Sequence, residues 1–518
     1  MSLYLGLDSS TQGIKAVLID PQAGRIAASA AVNYGQDLPE YGCPEGVLAH
    51  PDPLVKHAPP LLWVAALDLV LARLHQQGAP MGEVRGISGS GQQHGSVYCN
   101  ASAQGALAAL DPTRPLAEQL AGIFSRKTSP IWMDSSTSAE CAEIGAAVGP
   151  RLQTDTGSPA IERFTGPQIR KFWKEDPAAY GRTSVVHLVS SFMCSVLTGR
   201  HEAIDFGDGA GMNLLNLGTL DWDAGVLDAT APGLRAKLPP ARPSAGVVGG
   251  LHRYFAKYGL RAGTRVVLWT GDNPSSLIGV GAGAPGVAVI SLGTSDVFFA
   301  AMPAMRTDPS GYGHVFGNPA GGFMSLICFK NGSLARERVR EECGADWDFF
   351  GNAAFDTTAP GGGGNLMLPY YVPEITPKAL TPGVRRRGTP AFCAGRAPAA
   401  VKIRALVESQ ACSLKLHSEW IGTHFRTVRV TGGASRSRGL VQVLADVFQA
   451  EVEKISVPDS AALGAAMRAA QAAGGADWAS LNAAFAGATE TIRPDASRQA
   501  VYAGLLKEYA AFEAAERE

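Results

Sequence analysis

Two distant segments of this chain carry the same unusual pattern, and that repetition constrains the fold more than any other feature. Leu3-Tyr4-Leu5-Gly6-Leu7 reads as a short apolar strand; polar Asp8-Ser9-Ser10-Thr11-Gln12-Gly13 follows, and residues 14–19 read as a second strand interrupted by Lys15. Downstream, Val287-Ala288-Val289-Ile290, then Ser291-Leu292-Gly293-Thr294-Ser295-Asp296, then Val297-Phe298-Phe299-Ala300 repeat the arrangement. Each unit predicts a β-hairpin whose bend is built from Gly, Ser and Thr. The recurrence implies a duplicated architecture, with one half starting near residue 1 and the other near residue 265. Between the hairpins lie a helical pattern at 53–77 and a strand pattern at 84–88. Strands interleaved with helices place the chain in the α/β class. Its 518 residues, 46% of them hydrophobic, suffice for two to four domains of about 100–200 residues with substantial cores.

Several function classes are disfavoured by bulk properties. A formal net charge of -1 leaves no basic excess to attract a nucleic-acid backbone. The run Arg385-Arg386-Arg387 is read as a solvated loop. Eight cysteines, none spaced C-x-x-C, read as isolated small hydrophobes in a reducing compartment. The first twenty residues carry no signal-peptide pattern, and Gly, Pro or charge cuts every long apolar run. The expectation is a cytoplasmic protein, monomer or homodimer, without a membrane or nucleic-acid partner.

Gly- and Pro-rich stretches at 37–53, 360–364 and 373–398 read as loops. A helix is expected from 399, a strand at 427–430, helices at 438–448 and 460–472, and a terminal amphipathic helix over 495–518.

The polar bends suit anions. Convergent backbone N–H groups in a tight turn make a concave anion site, and hydroxyls add donors. Asp8, Thr11 and Gln12 stand in the first bend and Gly293, Thr294 and Ser295 in the second. Asp8, at a strand end, is suited to hold Mg²⁺ through water. Thr431-Gly432-Gly433-Ala434-Ser435 ends a strand and opens towards a helix, where backbone can lie close to a nucleotide, or where Ser435 simply caps the helix. No G-x-x-x-x-G-K-[ST] is present, so a P-loop is not indicated.

Candidate chemistry clusters elsewhere too. Thr270-Gly271-Asp272-Asn273-Pro274 follows the apolar run 266–269, and a carboxylate at a strand's C-terminal end is a frequent reaction site in open α/β sheets. Asp272 is the candidate general base; Asn273 reads equally as a helix N-cap before Pro274. Gly89-Ser90-Gly91-Gln92-Gln93-His94-Gly95 ends another strand with side chains suited to sugar hydroxyls, although a lone loop histidine is ordinary. Trp132 offers a stacking face or a core side chain, and Asp134 a further acceptor.

Together these residues resemble the FGGY carbohydrate kinases, most closely their eukaryotic-type xylulose kinase branch. The matching stretches are 6–12, 91–95, 129–136 (SPIWMDSS), 162–166 (ERFTG), 270–274, 291–296 (SLGTSD), 328–334 (CFKNGSL), 431–435 and 442–448 (QVLADVF). The resemblance implies two actin/hexokinase-like (ribonuclease H-like) domains around a central cleft, spanning 1–264 and 265–518. It implies phosphoryl transfer from ATP, with Mg²⁺, to a ketose such as D-xylulose. Asp272 then resembles the general base, and His94, Arg163 and Asn273 resemble sugar ligands. Asp8, Thr11 and Gln12 are similar to a first phosphate loop, Gly293, Thr294 and Ser295 to a second, and Gly432, Gly433 and Ala434 to an adenosine motif. Trp347 is similar to a nucleotide-contacting tryptophan. Ser437 stands where relatives carry Asn, and Gln93 where many bacterial relatives carry Met.

Overall fold

A computed structural model describes residues 2–516 of the chain. They form two compact units. The first comprises the chain up to Gly283 together with Val315–Met324 and Pro458–Ala486; the second comprises Ala284–His314, Ser325–Val457 and the chain from Gly487 onward.

The first unit is built on a sheet whose strands, in chain order, are β1 (Leu3–Ser9), β2 (Gly13–Asp20), β3 (Arg25–Asn33), β4 (Val84–Gly91), β5 (Val247–Gly250), β6 (Arg265–Val267) and the short β7 (Thr270–Gly271). Their spatial order is β5-β6-β4-β1-β2-β3, with β7 also paired to β4. β1 is buried along its whole length, as a central strand covered on both faces must be. β3, where only Val32 is buried, forms the polar edge. β1 pairs antiparallel with β2 and parallel with β4, while β6 and β7 run parallel to β4.

The second unit repeats this plan with β8 (Val287–Leu292), β9 (Asp296–Met302), β10 (Phe323–Phe329, in this unit from Ser325 onward), β11 (Thr427–Thr431), β12 (Glu451–Lys454) and β13 (Glu490–Ile492), which follow one another in space as β10-β9-β8-β11-β12-β13. β8 pairs antiparallel with β9 and parallel with β11, as β1 does with β2 and β4. The doubled α/β architecture implied by the repeated hairpins is therefore present.

Residues 265–283, which a boundary at 264/265 assigns to the second domain, belong to the first unit, and so does the helix Ser460–Ala472. Two contacts explain this. β6 adds to the first sheet beside β4, and the helix Asp272–Gly279 packs tightly on Ser460–Ala472. A Cβ on Gly279 would lie 1.9 Å from the Ser460 carbonyl oxygen, and one on Gly464 1.9 Å from that of Ser275. Gly6 of β1 meets the same helix, where a Cβ would come within 2.0 Å of the Ala462 carbonyl oxygen. Small residues thus let strand and helices approach at backbone distance.

Other differences are local. The helix expected from residue 53 starts at Pro60, because proline suits the first helical position while the preceding prolines favour extended backbone. The arginine run is not loop: Gly383–Arg387 pairs antiparallel with Leu366–Tyr370, and Arg385 and Arg386 reach Glu516 and Glu342. The terminal helix runs Gln499–Ala515; the expected extension to 517–518 lies outside the described residues. Among the described residues, no helix is long and apolar enough to cross a membrane.

Candidate active site

Register brings the candidate residues of the first unit together. Asp8 of β1 stands opposite Ser90 of β4, and Thr270 of β7 also stands opposite Ser90. The C-terminal ends of three neighbouring parallel strands therefore meet at one level and deliver Asp8, the Gln92-Gln93-His94 turn and Asp272. Such an edge is where open α/β sheets place their ligands.

Asp272 is the first residue of its helix rather than a loop residue before it, and the N-cap is Gly271. Asn273 is already helical, so its side chain does not cap. Its Nδ2 donates instead to Gln93 Oε1 at 2.8 Å and to Asp272 Oδ1 at 3.0 Å. This links the Asp272 strand end to the residue beside His94. Gly271 has no room for a side chain, since a Cβ would lie 2.6 Å from Gln93 Cγ and 3.1 Å from Asp208 Oδ1.

Burial raises both carboxyls. Burial, with the charge of Asp8 second, pushes Asp272 up to about 7. Asp8 is buried and also raised by burial, although Ser10 and Ser90 hydroxyls donate to its two oxygens. Opposing pressures of this kind mark sites where a carboxyl is tuned towards neutral pH.

His94 holds a left-handed backbone (φ 67°), unusual for a residue with a side chain. Its carbonyl accepts from Thr165 Oγ1 at 2.9 Å, and its ring stacks on Phe164 with centroids 4.4 Å apart. Nδ1 lies 2.7 Å from the Gly211 carbonyl oxygen and so carries the proton, leaving Nε2 as an acceptor. Burial and the nearby Arg163 push this imidazole down to about 3, so it is neutral. Arg163 approaches the other ring of the stack, 5.5 Å from the Phe164 centroid. Asp134 is not a free acceptor. It takes hydrogen bonds from Lys56 N, Ser136 N, Ser136 Oγ and Gln168 Nε2, tying down its own loop. Trp132 is not a core side chain; it is 44% exposed.

The second unit repeats the logic for its own residues. Ser291 of β8 stands opposite Thr431 of β11, so Gly293-Thr294-Ser295 and Gly432-Gly433-Ala434 leave adjacent strand ends. Gly432 (φ 93°) allows them to touch, since a Cβ there would lie 2.5 Å from the Leu292 carbonyl oxygen. Buried Arg336 binds Asp296 through two hydrogen bonds of 2.7 and 2.8 Å, fixing the far side of the Gly293 bend. A cavity of about 550 Å³ opens beside the glycines, lined by Trp347, Asn352, Gly433, Ala434, Arg436 and Ser437, among others. Trp347 is 51% exposed, with the Arg340 guanidinium 4.9 Å from its ring. The helix Arg438–Phe448 is capped by Ser437 rather than Ser435: Ser437 Oγ accepts from Leu440 N at 3.2 Å and donates to the Gly351 carbonyl oxygen at 3.2 Å.

Comparison with known proteins gives this geometry a family. The N-terminal domain model of the FGGY family of carbohydrate kinases matches residues 127–279, and its C-terminal domain model matches 288–473. The chain belongs to the FGGY family of carbohydrate kinases. It is 42% identical to a xylulose kinase of Rattus norvegicus, across 98% of this chain and 96% of that protein. It is 40% identical to xylulose kinase 2 of Arabidopsis thaliana, across 90% and 87%. Among solved structures, a xylulose kinase from Rhodospirillum rubrum superposes with a TM-score of 0.82 at 22% identity, covering 99% of this chain and 98% of that one. The FGGY fold is thus shared well beyond the reach of sequence similarity.

Three residues beside this FGGY kinase's candidate site were given no role from sequence. Ser90, on Asp8, lies within a recognised glycine-flanked strand end. Asp208 is fully buried and takes a 2.5 Å hydrogen bond from Ser190 Oγ; burial and then Asp205 hold its carboxyl well above the usual range. The glycines around it, in Asp205-Phe206-Gly207-Asp208-Gly209, were the available signal. Arg468, buried on the helix Ser460–Ala472, donates to the carbonyls of Gly89, Ser244 and Leu268 and braces the ends of β4 and β6 from below. A lone arginine in an alanine-rich helix gives no hint of this.

Proposed function

We propose that this chain transfers the γ-phosphate of ATP to the C5 hydroxyl of D-xylulose, with Asp272 as general base. The observation that carries the substrate is the end-to-end similarity to proteins named xylulose kinases, at 42% identity for the rat protein. The chemistry is supported by Asp272, a carboxyl raised to about 7 at the end of three converging strands.

In this reading, neutral His94 accepts a hydrogen bond from a sugar hydroxyl at Nε2, and Arg163 and Asn273 donate to sugar oxygens. Asp272 takes the proton of the attacking hydroxyl as the new C–O–P bond forms and the bond to the β-phosphate oxygen breaks, releasing ADP. A base whose pKa lies near working pH is about half ionised and still basic enough to accept a proton. Phosphoryl transfer otherwise needs in-line positioning and neutralised charge. Thr11, Gln12 and the bend 293–295 would supply phosphate donors, and Trp347 with Gly432, Gly433 and Ala434 would hold the nucleoside. Ser437 would contribute shape to that cavity rather than a hydrogen bond, because its hydroxyl is engaged by Leu440 and Gly351.

Among the described residues no group of three His, Cys, Asp or Glu side chains forms a metal cage. Buried Asp8, with Asp272 near enough to feel its charge, suits a cation that keeps several waters and takes further oxygens from substrate phosphates. Asp8 would hold Mg²⁺, which when bound neutralises phosphate charge.

A coupled ADP-release assay over D-xylulose, D-ribulose, L-xylulose and glycerol tests the reading. The highest kcat/KM is expected with D-xylulose. Equal ATP turnover with and without sugar, or a preference for glycerol, would overturn it.

A further inference from the structure

Of the three hydroxyls in Ser9-Ser10-Thr11, two are already directed within the protein. Ser10 Oγ donates to Asp8 Oδ2. Ser9 Oγ is buried against the Tyr34 hydroxyl at 3.3 Å. Thr11 differs, because its Oγ1 lies 2.7 Å from Trp132 Nε1. An indole N–H only donates, so Thr11 Oγ1 is the acceptor in this bond and its own proton must point elsewhere.

Both partners are held firmly. A Cβ on Gly46 (φ 77°) would lie 1.7 Å from the Thr11 carbonyl oxygen, so that glycine packs directly on the Thr11 backbone. The Trp132 loop is fixed by Ile131 N donating to the Lys56 carbonyl, Ser135 N to the Leu54 carbonyl, and the four hydrogen bonds onto Asp134. With 44% of its surface exposed, Trp132 is poorly explained as core packing. Its one directed polar contact is the bond to Thr11.

We infer that Trp132 is a positioning residue for phosphate binding: its indole N–H occupies one lone pair of Thr11 Oγ1 and turns the Thr11 hydroxyl proton towards a phosphate oxygen of the nucleotide. This rests on the proposed reading of the first bend as a phosphate loop. Trp132 therefore acts through Thr11, and its effect belongs to the nucleotide rather than the sugar.

A double-mutant cycle with Trp132→Phe and Thr11→Val, reading kcat and both KM values by ADP release, tests this. Phenylalanine keeps a ring and loses the donor; valine keeps the shape and loses the hydroxyl. Thr11→Val is expected to lower kcat/KM for ATP by about tenfold or more, as for a hydrogen bond to a charged group. Trp132→Phe should lower it about fivefold, with the KM for D-xylulose changed less than about twofold. In the Thr11→Val background, adding Trp132→Phe should cost less than about twofold. Melting temperatures of both single variants should match the parent, separating orientation from folding. Additive losses, or a rise confined to the KM for D-xylulose, would overturn the inference while leaving the loop reading intact. A Thr11→Val enzyme with unchanged ATP kinetics would overturn the loop reading itself, and this inference with it.

Discussion

Replacing Asp272 with asparagine should damage catalysis and stabilise the fold, and the second effect can be worked from the structure. The ordinary carboxyl value is 3.8, and burial with the Asp8 charge raises Asp272 to about 7. Because the folded value lies above the unfolded one, its neutral form is favoured in the fold. That stability is fully present below about pH 4 and is lost progressively as pH climbs towards 7. The interval from 3.8 to about 7, at ~1.4 kcal/mol per unit, is worth about 4 kcal/mol at pH 8. Asparagine imitates the neutral form at every pH. The variant should thus match the parent in stability near pH 4 and exceed it by about 4 kcal/mol at pH 8. Urea denaturation of the nucleotide-free protein in EDTA across pH 4–8 gives the difference directly. The same variant should lose roughly 10²–10⁴ in kcat as the base disappears. The parent's kcat/KM should rise about tenfold from pH 6 to pH 8, as a base near 7 ionises. A stability gap that stays constant with pH would refute the burial argument, because no proton would then be linked to folding at this position.

Three other outcomes are expected. His94, pushed to about 3, stays neutral above pH 5, so D-xylulose binding by the Asp272→Asn variant, which lacks the carboxyl that titrates near 7, should show no inflection between pH 5.5 and 8.5; a limb near 6.5 in that variant would mean the imidazole gains charge in the site. Trp347→Ala should raise the KM for ATP about tenfold by loss of stacking while leaving that for D-xylulose within about twofold, and equal rises in both would point to misfolding instead. Gly432→Ala should cost roughly 2–4 kcal/mol, because its Cβ meets the Leu292 carbonyl oxygen at 2.5 Å on a left-handed backbone; a melting curve unchanged from the parent would contradict that contact.

Local pattern alone determined the doubled hairpins, the α/β class, the helices at 438–448 and 460–472, and the short polar motifs that carry the family resemblance. Each depends on periodicity or turn chemistry within a dozen residues, which sequence displays directly. Tertiary structure alone decided that residues 265–283 and the helix Ser460–Ala472 join the first unit, since glycine-to-carbonyl contacts between distant segments leave no periodic trace. It also decided how side chains are used: Asn273 serves Gln93 instead of capping, Ser437 caps instead of Ser435, and Asp134 anchors its own loop. A polar side chain's role depends on which donors and acceptors surround it after folding. Register across β1, β4 and β7 brings those partners together, and no single segment contains it.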